Sequence, residues 1–294
     1  MSGKNDTPLP TDLGTDPKFQ PWHQFNPNSQ QWDPVSANET TEPPHDDPSS
    51  DLVLLTWNID AFTEWKDERI TEILRFIFEL DSKLDIIFLQ EVSPRALQLI
   101  LRDERIRTSF ALGPVWRVAF PSHFGRDVLF CDLFVPSHAD KTPTRVRFAN
   151  VHLDSLAIKP SHRPRQLAIV SSFLRSAGRG LVAGDFNPVL EEDAVLVETN
   201  RLTDAWMAIR PEEPGYTWGA DGKQRFPPNR MDKVALLGLK AREIDIFEPR
   251  RVWKSDGLQG TQNDTDTLES QQTQSTGIPS SDHHALLCSF ELGE

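Results

Sequence analysis

The chain has little cysteine: only Cys131 and Cys288 carry thiols among its 294 residues. Both sit inside apolar runs. That excludes a domain built on disulfides or a zinc site built on several cysteines, and it favours a reducing compartment. Long hydrophobic runs are missing too. No stretch approaches the roughly 18 consecutive apolar residues of a membrane span, and the first thirty residues hold no apolar signal-peptide core. The sequence therefore predicts an intracellular protein with no membrane contact, in the nucleus, the cytoplasm or both. No basic cluster of the nuclear-import kind chooses between them. Positive charge is scarce: 31 Lys and Arg face 44 Asp and Glu, a net charge of −13. That argues against coating nucleic acid by bulk electrostatics, although a local metal site can act on phosphates against the global field.

What is present divides the chain in two. Residues 1–50 are rich in Pro, Asn, Ser, Thr and Asp and hold 2 basic against 8 acidic side chains. Such a composition buries too little apolar surface to offset its ordering entropy, so the segment reads as a disordered acidic tail. Within it, "FQPWHQFNPNSQQWDPV" spaces Phe19, Trp22, Phe25 and Trp32 along a polar stretch. Exposed tryptophans want a docking surface; the reading is a strap on the domain, with a protein-partner motif as the alternative. Residues 51–294 read as the globular domain, interrupted at about 254–281 by a polar stretch too long for an ordinary connection and expected to be a mobile loop.

Along the domain, "LVLLTW" and "DIIFLQEV" look like buried strands. Between them Ile70, Ile73, Leu74 and Ile77 recur at helical spacing. Ser93–Pro94 opens a helix that carries Leu97, Ile100 and Leu101. "WRVAF", "DVLFCDLFV" and "RVRFANVHL" follow as strands, then a helix from Arg163 to Ala177 stopped by Gly178. "GLVAGDF", a short helix near Thr203–Ile209, "MDKVALLG" and "HALLCSFEL" complete the pattern. Strands and helices mix without strict alternation, which predicts mixed sheets with helices outside.

Five polar clusters stand at strand ends: Asn58 and Asp60, Glu91, His152 and Asp154, Asp185 and Asn187, Asp282 and His283. Each alone is ordinarily a turn or cap, yet all five present carboxylate, carboxamide or imidazole groups that one pocket can collect. Phosphate-ester hydrolysis suits them. Glu91 with Asp60 or Asp282 offers oxygen ligands to a hard ion such as Mg²⁺. Asp185 can orient or deprotonate a water, and Asn187 can donate to a phosphoryl oxygen. His283 paired with Asp232 can stabilise charge on the transition state. Trp57 and Trp218 read as core, His284 as a bystander, and Arg163 and Arg165 as solvated helix residues.

In order, "TWNID", "LQEV", "NVHLDS", "GDFN", "YTW" with "RMDKV", and "SDHHAL" resemble the motif series of the endonuclease/exonuclease/phosphatase superfamily, over about Asp51–Gly293. The resemblance implies a four-layer α/β sandwich of two packed mixed sheets flanked by helices. "FPSHFGRDVL", "HLDS" with "RPRQLAIV", and "TDAW" resemble most the 5′-tyrosyl-DNA phosphodiesterases (the tyrosyl-DNA phosphodiesterase 2 kind). That family implies a Mg²⁺-dependent enzyme, with Mn²⁺ as a substitute, that clears 5′-phosphotyrosyl adducts from DNA ends, single-stranded above all. Carried over by position, Glu91 and Asp60 would hold the metal with support from Asp282. Asp185 would be the general acid/base. Asn58, His152, Ser155, Asn187 and His283 would contact the scissile phosphate, and Asp232 would orient His283. Ser155 reads equally as a turn cap.

Three departures stand out. "GDFN" runs into Pro188 and Val189 where the family has Leu-Arg after its "GDTN". Leu156 and Ala157 follow "HLDS" without the family's Arg, and Ala61 and Phe62 replace its Gly-Leu. Phosphate chemistry is untouched by these changes, but strand grip is not. The alternative on the same fold is an RNA 3′-exonuclease of the deadenylase kind, or a hydrolase of small phosphodiesters.

Overall fold

The computed structural model describes residues 17–35, 51–113, 115–135, 144–253 and 277–292. In chain order its elements are β1 Lys18–Phe19, β2 Trp22–Asn26, β3 Gln31–Val35, β4 Asp51–Asn58, α1 Lys66–Glu79, β5 Ile86–Gln90, α2 Pro94–Arg102, α3 Glu104–Ser109, β6 Val115–Ala119, β7 Asp127–Val135 and β8 Thr144–His152. They continue with α4 Arg163–Ala177, β9 Gly180–Asp185, a 3₁₀ turn Glu191–Val195, α5 Leu196–Thr199, β10 Thr203–Asp204, α6 Ala205–Ile209, β11 Asp232–Leu237, β12 Lys240–Phe247, β13 Arg251–Val252, β14 Ile278–Pro279 and β15 Ala285–Glu291.

Two mixed sheets dominate, ordered β1-β6-β7-β8-β9-β11-β10 and β12-β15-β4-β5. Side chains alternate faces along a strand, and the burial follows. Leu54, Phe148, Leu181, Val234, Leu286 and Phe290 fill the space between the sheets. Their neighbours turn outward: Leu55 and Trp57 pack under α1 and α2 with Ile70, Ile73 and Ala96. Ala149, Val151 and Val182 pack under α4 with Leu167, Val170 and Phe173. Three apolar interlayers separate four layers, the sandwich expected. The helix of Arg163–Ala177 stands as read, with Gly178 at its C-cap and φ 91°. On α2, Ile100 is buried but Leu97 is 47% exposed, so the apolar face is narrower than the periodicity suggests. At 203–209 the first two residues pair with β11 as a strand, and Asp204 caps a helix that starts only at Ala205.

Residues 17–35, which span the strap read within the acidic tail, form three strands in the described structure. β1 adds to the large sheet, pairing Lys18 with Arg117 and Phe19 with Trp116. β2 and β3 form a hairpin, and His23 and Leu112 bond reciprocally through their backbones. Trp32 Nε1 donates to Leu101 O at 3.1 Å, and the Arg107 guanidinium lies 4.3 Å from the Phe25 ring centroid. These aromatic contacts and backbone bonds supply what the composition lacked. The rest of residues 1–50, and the loop read at about 254–281 up to residue 276, lie outside the described residues.

The topology gathers one end of both sheets. Parallel β4 and β5 finish together, Asn58 opposite Gln90, and parallel β8 and β9 finish with His152 opposite Asp185. Antiparallel β11 starts there, Asp232 opposite Asp185. So does β15, whose Leu286 pairs with Thr56. One glycine makes this approach feasible: Gly184 has φ 135°, and a Cβ on it would sit 2.0 Å from Val151 O.

Candidate active site

Asp185 ends β9 in the middle of the large sheet and is 1% exposed. Its Oδ1 accepts from Asn187 N at 2.9 Å. Its Oδ2 accepts from Asn58 Nδ2 at 3.1 Å. Burial pushes this carboxyl above its ordinary range, and Asp232 adds to the push, against His152, His283 and the Asn187 N–H. The same Asn58 amide also donates to Glu91 Oε1 at 3.2 Å, so a carboxamide with 1% exposure bridges two acids from different sheets. Asn58 Oδ1 is spent on Asp60 N at 3.1 Å, which fixes the amide's orientation. Glu91 is raised as well, by burial first and then by the charges of Asp185, Asp60 and Asp282.

His152 closes the same side. Arg126 Nη1 lies 2.8 Å from its Nδ1. A guanidinium only donates, so Nδ1 accepts and the ring proton sits on Nε2. That Nε2 faces Asp185 Oδ2 at 3.4 Å and Glu91 Oε1 at 3.8 Å. Burial and the nearby cations Arg126 and His283 hold His152 down at about 4, neutral at physiological pH. His283 is the opposite case. Its Nδ1 lies 2.7 Å from Asp232 Oδ2, with both side chains buried. Burial works against its charge, but Asp232, Asp185 and Asp282 raise it to about 10. Three contacts seat its backbone: His283 N donates to Ser281 Oγ at 3.0 Å, Ser281 Oγ donates to Asn58 O at 2.6 Å, and Trp57 Nε1 donates to His283 O at 2.9 Å.

The structure thus brings Asn58, Glu91, His152, Asp185, Asp232 and His283 into one cluster. Asn187 adjoins it, its Nδ2 reaching Leu153 O at 3.3 Å. Ser155 joins through Arg126, whose Nη2 donates to Ser155 Oγ at 3.1 Å. Asp60 is placed differently from a free ligand. Its Oδ2 accepts from Arg69 Nη2 at 2.8 Å and from Thr63 Oγ1 at 3.1 Å, while its charge still reaches Glu91. Asp282 accepts from Trp218 Nε1 at 3.1 Å; Trp218, expected in the core, is only half-buried and serves that acid instead. Of the seven non-glycine residues whose φ enters the left-handed region among the described residues, four lie in the loops of the site: Asp60 (42°), Glu91 (57°), Leu156 (64°) and Asn187 (46°).

Two participants escape sequence reasoning. Arg126 precedes β7 in a polar loop with no local signal of a role. Arg69 sits in α1, yet it is 3% exposed and holds Asp60 O at 2.9 Å and Ser280 O at 2.9 Å. Its signal was legible: Arg69, Ile73 and Phe76 share a helix face at i, i+4, i+7. Arg163, expected to be solvated, is 1% exposed. Its Nε donates to Asp193 at 2.8 Å, and its Nη1 donates to the carbonyls of Asp154 and Leu156 at 2.6 and 3.0 Å.

The donor set fits a divalent cation. Glu91, Asp185, Asp232, Asp60 and Asp282 outnumber the cations described beside them, His283, Arg126, Arg69 and Lys233, and burial, then the neighbouring acids, raises Glu91 and Asp185. All the acids offer oxygen and no thiol takes part, the chemistry of Mg²⁺ rather than a soft metal. Asp185, Asp232 and His283 also bring donor atoms within 4.8 Å of one another. There, however, His283 already serves Asp232 as its cation, which leaves the Glu91 side as the place for the ion.

The sequence pattern of the Endonuclease/Exonuclease/phosphatase family matches residues 55–283. No curated protein sequence matches the chain at a significant level. Among solved structures, D. rerio TDP2 complexed with single-strand DNA product superposes with a TM-score of 0.60 at 17% identity, over 83% of this chain and 100% of that one. TDP2 from Caenorhabditis elegans gives 0.59 at 19% identity, over 82% and 74%. The human Nocturnin catalytic domain with bound sulfate gives 0.50 at 17% identity, over 82% and 93%. At such identities the likeness is one of fold.

Proposed function

This chain belongs to the endonuclease/exonuclease/phosphatase family, and within it we propose a Mg²⁺-dependent phosphodiesterase that removes 5′-phosphotyrosyl or related adducts from DNA ends, a DNA-repair activity. The carrying observation is the Asn58 amide that ties Glu91 to Asp185 while neutral His152 and charged His283 close on the same carboxylate. An anionic phosphoryl group needs donors on one side and a base on the other.

Each residue has a role its surroundings support. Asp185, raised above the usual carboxylate range, takes the proton of the attacking water and is held in line by Asn58 and Asn187 N. His283, charged and fixed by Asp232, stabilises the negative charge that grows on the phosphoryl oxygens. Asn58 and Asn187 add amide donors, and His152 presents Nε2–H. Arg126 and Ser155 extend the donor surface away from β8. Glu91, with Asp282 beside it, would hold Mg²⁺, and Asp60 would support it from its contact with Arg69. The ion, when bound, supplies Lewis-acid neutralisation of the phosphoryl and leaving oxygens. A tyrosyl phenolate, with a pKa of about 10, leaves more readily than an alkoxide.

A second reading keeps the chemistry and changes the substrate to an RNA 3′ end or a small phosphodiester. It is favoured by Leu156 at 62% exposure, an apolar side chain just after "HLDS", where the resemblance would place an arginine. One assay decides: a 5′-phosphotyrosyl single-stranded oligonucleotide and a poly(A) RNA are each incubated with Mg²⁺, beside Asp185→Asn and EDTA controls. A 5′-phosphate end released from the first substrate, and lost in both controls, supports the main reading. Shortening of the RNA alone replaces it, and silence on both sends the search to smaller phosphodiesters.

A further inference from the structure

A second cluster stands apart from the residues above, where the loop before β7, the end of β8 and the start of α4 meet. The rings of His123 and His162 stack with centroids 4.2 Å apart and planes within 7°. His162 Nδ1 lies 3.5 Å from Asp154 Oδ2, too long for a hydrogen bond. This buried ring nitrogen has no hydrogen-bond partner. Asp154 is 2% exposed and firmly placed. It accepts from Ser122 Oγ, from Gln166 Nε2 at 2.8 Å and from His123 N at 3.0 Å. Burial alone would raise its carboxyl, but these donors bring it below the ordinary value.

An orphaned, buried imidazole nitrogen is costly, and the stack holds two imidazoles side by side next to the Asp154 carboxylate. Both features make sense if a cation sits between the rings and the carboxylate. We propose that His123, Asp154 and His162 form a second metal site, for a transition ion of the Zn²⁺ type. Their donor atoms lie within 4.8 Å of one another. Ligands about 2.0–2.1 Å from a tetrahedral ion stand about 3.4 Å apart, a gap that a turn of the exposed His123 ring closes. Two imidazoles and one carboxylate select a borderline ion, whereas the all-oxygen side at Glu91 selects a hard one.

The site has a consequence for the first. His123 and Arg126 share one loop, and Arg126 is the cation that touches His152 and Ser155. An ion joining His123 to Asp154 and α4 fixes this loop, and with it the reach of Arg126. His123, Asp154 and His162 are then positioning residues.

The test titrates Zn²⁺ into the full chain held in excess Mg²⁺, by calorimetry, with zinc-edge X-ray absorption and with hydrogen exchange over residues 121–126. The expected result is a Zn²⁺-binding event with two imidazole ligands that slows exchange in this loop. His123→Asn, at an exposed position, weakens it at least about tenfold, and His162→Asn does the same. Asp185→Asn leaves that event in place, which separates it from any Zn²⁺ taken up at the first site. Wild-type protein that binds no Zn²⁺, or binding that His123→Asn leaves unchanged while Asp185→Asn abolishes it, overturns the proposal.

Discussion

Arg163→Met isolates what holds the loop that carries Ser155. In the native chain the Arg163 guanidinium is paired with Asp193, with side-chain exposures of 1% and 0%. Asp193 also accepts from Leu190 N at 2.8 Å and Ser161 Oγ at 3.3 Å. Methionine keeps most of the volume and removes the charge, so the Asp193 carboxylate stays buried with two neutral donors and no counter-ion. Breaking such a pair costs about 3–5 kcal/mol. A chain of this size loses about 2–4 °C of melting temperature per kcal/mol, so the expected drop is about 6–20 °C. Urea unfolding of the single variants and of Arg163→Met/Asp193→Asn closes the cycle. The double variant no longer buries a lone charge, so a coupling of about 2 kcal/mol is expected. Because Arg163 also grips the carbonyls on either side of Ser155, the single variant raises KM. An unfolding free energy within about 1 kcal/mol of the parent, or simple additivity in the cycle, refutes the argument.

Asp232→Asn keeps the hydrogen bond to His283 Nδ1 but withdraws the charge; kcat at pH 8 is expected to fall by about 10²–10³ with KM little changed, read by steady-state kinetics. Arg126→Lys retains a cation without the fork that spans His152 and Ser155. Losing one charged hydrogen bond, about 1.5–3 kcal/mol, lowers kcat/KM about tenfold or more, and an unchanged value would remove Arg126 from the site. Glu91 and Asp185 sit above their ordinary values because burial and like charge disfavour ionisation. A bound cation opposes both effects, so the acid limb of the pH–rate profile should move to lower pH as Mg²⁺ is raised, and EDTA should abolish turnover. Burial pushes both Cys131 and Cys288 up to about 12, so alkylation of the folded chain at pH 8 should run about a thousandfold slower than in urea, checked by mass spectrometry.

The strand-end acids were legible because each adjoins an apolar run, and such runs begin and end where chain meets solvent. The helix 163–177 was legible from its periodicity and its terminal glycine. What escaped depends on partners distant in sequence. β12 mixes Lys240, Arg242, Glu243 and Asp245 with its apolar residues, and a register shift between Ala241 and Glu243 breaks its alternation, so this edge strand gives no clear sequence signal. The strap was legible in its spaced aromatics, but its docking site was not: Trp32 reaches Leu101 O and β1 joins β6 only in the assembled domain. That Asp232 would stand beside Asp185 follows from the antiparallel register of β9 and β11, which no local pattern encodes. Arg163 looked like a surface cation and Arg126 gave no signal, because their acceptors, His152, Asp193 and two backbone carbonyls, are assembled only by the fold.

The charges of the site resolve a conflict set by composition. A chain of net charge −13 cannot draw a phosphodiester by its overall field. The active end of the sheets does not hide its acids; it concentrates Glu91, Asp185, Asp232 and Asp282 where burial makes their repulsion costly. That cost is what a divalent cation relieves, so a site that repels phosphate when bare becomes one that attracts it when loaded. Arg126 and His283 then act at short range, each held by a named partner rather than by a basic surface. Val189, and Leu156–Ala157 after Ser155, stand where the resemblance would place strand-gripping arginines. On the proposed function, recognition then rests on the scissile group and its leaving group more than on the strand, and binding is expected to weaken with salt less steeply than for a protein that tracks many phosphates.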